Sequence, residues 1–178
     1  MSVLKTVYQN INAWDNSLCI KIFRLNGRKP LDVFMQGLSR LGDGYFYALI
    51  GILLFIVDFD LARKTVPAGL IAFALEILAY KLLKNKTKRY RPFEKVAGIS
   101  NLLPPPDKFS FPSGHTSAAF VMATLLGTVI PGLFPPLAVI AALIGFSRIY
   151  NGLHFPSDVL AGMTLGITCA KIGLAVAV

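Results

Sequence analysis

The sequence predicts an all-α integral-membrane protein, a bundle of about five to six helices including an N-terminal helix that lies in the interface. Two observations carry this prediction. Of the 178 residues, 54% are hydrophobic and only 15% are charged, a balance too apolar for an ordinary soluble domain. From Thr116 to Ser147 there is no Asp, Glu, Lys, Arg or His, and Pro131, Gly132, Pro135 and Pro136 break that run into two pieces. Each piece is near the length of a membrane span at about 1.5 Å per residue, so two helices and a tight turn are expected there.

Taken in order, residues 3 to 25 place Val3, Val7, Ile11, Trp14, Leu18 and Ile22 at helical spacing among polar positions. This predicts an amphipathic helix lying on the bilayer. The stretch from Met1 to Lys29 lacks a short apolar core with a small-residue cleavage site, so no signal peptide is expected. After Asn26-Gly27 and Pro30, residues 31 to 57 form a second element whose deep part is "YFYALIGILLFIV", with Gly42 and Gly44 marking a kink. The third runs from Thr65 to Leu83, with Glu76 and Lys81 its only charges. Glu76 is expected to make a packed or hydrogen-bonded contact between helices. Lys84 to about Ser110 reads as a basic loop, because a helix cannot pass the three prolines of "LLPPPDKF". Spans at roughly 113 to 130, 135 to 150 and 157 to 177 complete the bundle.

The chain reads as a single domain over 1–178, with an interfacial helix and linker at 1–29 and the bundle at 30–178. Cys19 and Cys169 lie near opposite ends, which gives no support to a disulfide framework. The formal charge is +9, and the basic residues cluster beside apolar spans without the pattern of a nucleic-acid module. Anionic lipid is therefore the expected partner, and nucleic acid is not. Lys86, Lys88, Arg89 and Lys95 are expected to attract headgroups. Nothing in the sequence fixes an oligomeric state.

Counting crossings places Lys84, Ser113, Arg148 and Asp158 at the same membrane face. Three polar segments meet there: "KNKTKRYRP" (84–92), "FPSGHTS" (111–117) and "FSRIYNGLHFPSD" (146–158). Singly, each has a plain structural reading, as a basic flank that sets topology, a capped helix start and a helix end with a structural histidine. Together they hold both histidines of the chain, and charge at the end of a span is costly enough to point to function.

The spacing carries a resemblance. Lys84, six residues, Arg91-Pro92; then Pro112-Ser113-Gly114-His115; then Ser147-Arg148, five residues, His154, three residues, Asp158: this set resembles the three motifs of the type 2 phosphatidic acid phosphatase superfamily. That superfamily also includes vanadium haloperoxidases and glucose-6-phosphatase. The resemblance covers residues 84 to 158 directly, and the surrounding helices more loosely. It implies an integral-membrane lipid phosphatase acting on a phosphomonoester or pyrophosphate headgroup, such as undecaprenyl pyrophosphate, phosphatidylglycerol phosphate, phosphatidic acid or lipid A phosphate. It also implies His154 as the nucleophile that forms a phosphohistidine, and His115 as the acid that protonates the leaving oxygen.

The residue chemistry agrees. Phosphoryl transfer needs cations around the equatorial oxygens, an aimed nucleophile and a proton donor. Lys84, Arg91 and Arg148 supply charge, and an arginine fork grips two phosphate oxygens at once. Ser113 and the Gly114 amide stand at a helix N-terminus, where unpaired N–H groups favour an anion. Asp158 is suited to fix the tautomer and rotation of His154. No carboxylate cluster suited to magnesium accompanies these segments, so no metal and no other cofactor is expected. A lipid phosphotransferase and a non-catalytic lipid-phosphate binding or transport protein are the alternatives. A haloperoxidase is disfavoured by the spans.

Lys and Arg outside the motifs concentrate on the motif face, and by the positive-inside rule that face is cytoplasmic. The resemblance implies a multi-pass protein of the inner membrane with its site on the periplasmic or extracellular face. The second reading is followed here, because basic residues that serve an anionic substrate weaken the rule.

Overall fold

In a computed structural model that describes residues 3–177, the chain is all helical; Met1, Ser2 and Val178, which the single-domain reading includes, lie outside the described residues. The helices are α1 (Val3–Phe23), α2 (Lys29–Leu41), α3 (Gly44–Val57), α4 (Phe59–Thr87), α5 (Pro92–Lys95), α6 (Gly114–Val129), α7 (Phe134–Tyr150) and α8 (Pro156–Ala177). They form a multi-pass membrane bundle. Helices α4 and α8 are each long and apolar enough to cross a bilayer, α2 and α3 are together long and apolar enough but bend by 56° at their junction, and α6 and α7 are shorter apolar helices.

Among the described residues the five to six expected helices are present as eight helical segments, for two local reasons. The element predicted at 31–57 breaks at Gly42 and Asp43, where the anticipated kink is a bend of 56° that ends one helix and starts the next. A single turn, α5, forms in the predicted loop because Pro92 starts it and the Glu94 carboxylate accepts from the Arg91 N–H at 3.0 Å. Helix α4 also runs past Leu83 to Thr87, so Lys84 stands on a helix and not in a loop.

Small residues draw the inner helices together. A Cβ on Gly162 or Gly166 would fall 2.5 Å from the Ser113 carbonyl oxygen or 2.2 Å from that of Ser117, so α8 packs backbone to backbone on α6. On the same helix, a Cβ at Gly173 would lie 2.4 Å from the Ala68 oxygen of α4. Helix α3 lies outermost and buries none of its residues. Helix α1 forms over the expected residues: Val3, Val7, Ile11 and Trp14 are exposed, while Asp15, Cys19 and Ile22 are buried against the bundle. Glu76 is buried beside Ser117 of α6, in accord with inter-helix packing, and its Oε1 has no partner.

Candidate active site

The ends of α2, α4 and α7 and the starts of α6 and α8 converge on one face, and the three sequence segments meet there. Lys84, Arg91, Ser113, Arg148, His154 and Asp158 are all buried, with Arg91 at 0% and His154 at 1% exposure. Burying so many cations in one place is costly unless anionic groups answer them. Asp107, from the proline-rich loop, is one such group. Its carboxylate bonds Lys84 Nζ and the Tyr80 hydroxyl, and accepts from Arg91 Nη2 at 2.8 Å; its backbone oxygen accepts from Arg91 Nε at 3.0 Å. Burial raises the Asp107 pKa, but the hydrogen bonds from Lys84 and Tyr80 and the charges of Lys84 and Arg91 outweigh it and leave the group below the usual carboxylate range.

His154 stands in the loop between α7 and α8. Arg91 Nη1 lies 3.3 Å from its Nε2 and also donates to the Leu153 oxygen at 2.8 Å. Guanidinium nitrogens only donate, so Nε2 carries the lone pair and Nδ1 the proton. Burial first, then the charges of Arg91, Arg148 and Lys84, hold the His154 pKa well below 6.5, so the ring is neutral at physiological pH. Asp158 Oδ2 lies 3.7 Å from Nδ1, beyond hydrogen-bond range, and Nδ1 has no partner. The expected orienting bond is thus adjacent but not closed. Both Asp158 oxygens are engaged elsewhere: Oδ2 accepts from the Phe155 N–H at 2.8 Å, and Oδ1 from Arg89 Nη1 at 2.6 Å.

Arg89 departs from its expected headgroup role. It is largely buried, pairs with Asp158, and reaches Asp15 of α1 at 2.6 Å. Asp15 in turn accepts from the Ser157 N–H at 2.9 Å, so α1 is fastened to the turn that carries Asp158.

On the other side of the site, His115 Nε2 meets Asp43 Oδ1 at 2.9 Å, and the His115 side chain is 18% exposed. Asp43 sits in the α2–α3 break. A Cβ at the neighbouring Gly42 would lie 3.0 Å from the His115 ring, so glycine lets this break close on the histidine. Arg148 donates through Nη1 to the Ser39 hydroxyl, while its Nε and Nη2 are unpartnered. Ser39, Asp43, His115 and Arg148 line a cavity of about 220 Å³ together with Arg40 and the loop residues Leu103, Pro104 and Pro106. That is room for about seven waters at roughly 30 Å³ each, enough for a phosphate group and the start of its ester.

Of the predicted phosphate contacts, Arg148 lines this cavity with free donors, whereas Lys84 and Arg91, both bonded to Asp107, are not among its lining residues, and neither is His154. Ser113 is fully buried and caps α6, its Oγ lying 2.9 Å from Thr116 Oγ1. Gly114 permits close packing of Tyr80, whose Cε2 would lie 2.9 Å from an added Cβ. Asp43, Asp107 and Ser39 went unpredicted. Among the described residues there is no group of three or more His, Cys, Asp or Glu able to hold a metal ion.

A family model described as the PAP2 superfamily matches residues 67–177, more than half of the chain and all three motifs. The chain belongs to the PAP2 superfamily. An undecaprenyl-diphosphatase of Sulfolobus acidocaldarius is 32% identical over 92% of this chain and 79% of its own length. The crystal structure of Aquifex aeolicus LpxE superposes with a TM-score of 0.82 at 33% identity, covering 91% of this chain and 95% of that one. A transmembrane PAP2-type phosphatidylglycerolphosphate phosphatase of Bacillus subtilis gives 0.77 at 28% identity, with 94% and 86% covered. This PAP2 protein is a phosphoric-ester hydrolase of the membrane, a lipid phosphatase.

Proposed function

We propose that this PAP2 enzyme hydrolyses a lipid phosphomonoester or diphosphate through a phosphohistidine on His154. The observation that carries the reading is the placement of His154, its Nε2 3.3 Å from Arg91 Nη1 and its Nδ1 3.7 Å from the Asp158 carboxylate, so that cation and carboxylate flank the ring. Arg91, Arg148 and Lys84 draw the phosphoryl oxygens in and spread their charge. The Nε2 pair attacks phosphorus as the bond to the leaving oxygen breaks, and His115 delivers a proton to that oxygen. Asp158 stabilises the cationic ring as it forms. Water then attacks the phosphohistidine and yields its proton to His115. The P–N bond breaks, its electron pair returns to Nε2, and inorganic phosphate leaves. No step calls on a metal, because the three cations serve the oxygens. The substrate is a lipid that keeps its tail in the bilayer, and the site faces the periplasm or cell exterior across the inner membrane.

The test is an acid-stability assay of the intermediate. Wild-type protein quenched during turnover of a 32P-labelled lipid phosphate should carry label that survives alkali and is lost in acid, as phosphohistidine does. His154→Ala should carry none and release phosphate on the order of 10^4-fold more slowly. Full activity in His154→Ala would overturn the reading. A new phosphate ester formed with an added alcohol, in place of free phosphate, would make the enzyme a phosphotransferase.

A further inference from the structure

Arg89 stands in the first sequence segment between Lys84 and Arg91, yet it is not among the residues that line the phosphate-sized cavity. It ties that segment to the other two and to α1 instead. Its backbone oxygen accepts from the Ser110 N–H at 2.8 Å, immediately before the segment that bears His115. Nη1 donates to Asp158 Oδ1 at 2.6 Å and to Ser157 Oγ at 2.7 Å, and Nη2 donates to Asp15 Oδ2 at 2.6 Å. The guanidinium carbon lies 4.3 Å from the centre of the Phe155 ring, which covers the flat face of the fork.

Asp15 and Asp158 are both 0% exposed, so this is a row of charges taken out of water. Stability alone is a poor reason for it, because apolar residues of similar volume commonly serve a fold as well as a buried ion pair. The end of the row nearest the chemistry supplies a better one. Asp158 Oδ2 lies 3.7 Å from His154 Nδ1. Arg89 on Oδ1 and the Phe155 N–H on Oδ2, at 2.8 Å, together hold the carboxylate in one rotation beside the ring. The ring gains positive charge as Nε2 attacks phosphorus, and negative charge already in place on the Nδ1 side stabilises that change. Arg89 by itself would cancel the charge of Asp158. With Asp15 on its other nitrogen, two carboxylates share one guanidinium and the row keeps one net negative charge.

We propose that Arg89 is a positioning residue of the phosphoryl transfer, fixing the Asp158 carboxylate beside His154, and that Asp15 of α1 leaves the row the negative charge that answers the cationic ring. The proposal rests on the phosphatase reading above, with His154 as nucleophile.

A double-mutant cycle on kcat tests it, using the full chain in detergent and whichever of phosphatidic acid, phosphatidylglycerol phosphate and an isoprenyl diphosphate the wild type hydrolyses fastest. Arg89→Gln should lower kcat about 100-fold, and Arg89→Lys and Asp15→Asn each about tenfold. In an Asp158→Asn background none of the three should cost more than about twofold further, since a residue that acts through Asp158 has nothing left to act on. The inhibition constant of inorganic phosphate, which answers to Lys84, Arg91 and Arg148, should stay within about threefold of wild type throughout. Losses that multiply in the double variants would overturn the proposal, as would phosphate binding that weakens in step with kcat, the mark of a merely structural role. So would wild-type kcat in Arg89→Gln. If that variant does not fold, Asp15→Asn, which leaves Arg89 on Asp158, decides by the same cycle. A wild type that hydrolyses none of the three lipids, or a fully active His154→Ala, would instead refute the phosphatase reading itself.

Discussion

Asp43 stands to His115 as Asp158 stands to His154: a carboxylate beside each ring, one on each side of the site. A carboxylate at 2.9 Å from Nε2 fixes the ring's rotation and aims it into the cavity that both residues line, where a leaving oxygen would sit. Asp43→Asn should therefore lower kcat on an alkyl or isoprenyl phosphate by about 10- to 100-fold, below the roughly 10^2 to 10^4 that general acid catalysis supplies. On p-nitrophenyl phosphate, whose leaving group departs without a proton, the loss should be severalfold smaller. Equal losses on both substrates would assign Asp43 a merely structural part. That the two histidines and the cations gather at one face was legible in the sequence, because their spacing within each segment is set by local chain geometry. Asp43, Asp107 and Arg89 were not, because each acquires its role from a partner that only tertiary folding delivers: Arg89 and Asp158 are 69 positions apart, Asp43 and His115 72. A faint signal existed for Asp43, an acidic residue between the two glycines of a kink.

Among the elements, α8 depends most on what its residues lack. Gly162 and Gly166 let its backbone rest on that of α6 at the turns bearing Ser113 and Ser117, so the helix that carries Asp158 also sets the height of His115. Gly166→Val would put a branched side chain where even a Cβ falls 2.2 Å from the Ser117 oxygen. Overpacking of this kind costs about 1–3 kcal/mol. The variant should show a lower melting temperature in detergent, measured by the fluorescence of a thiol dye reaching buried Cys19 and Cys169, with activity falling in step. A melting temperature equal to wild type would show that α8 has slack to move. Helix spans and turns were well predicted, since apolar runs end where proline and glycine say they do. The extension of α4 to Thr87 was missed because lysines at the end of a span can snorkel and keep the helix going, which on paper looks like a loop.

For the whole molecule, the crossing count places every motif at one face, but not on a particular side of the cell. The count needed only apolar runs, whereas sidedness pits the concentration of lysine and arginine on the motif face against their use on an anionic substrate. The two native cysteines are buried, so Asn101→Cys, on the exposed loop beside the site, gives a clean reporter. A membrane-impermeant maleimide should label it in intact cells with the outer membrane permeabilised. Labelling only after the inner membrane is opened would place the site in the cytoplasm.

The tie between Asp15 and Arg89 has a consequence for how this enzyme answers its surroundings. Arg89 bridges a carboxylate next to His154 and another on α1, the helix that leaves Val7, Ile11 and Trp14 uncovered. Displacing α1 would therefore shift positive charge relative to Asp158. Phosphate release should accordingly differ between vesicles of unlike thickness or surface charge, and Asp15→Asn should flatten that difference.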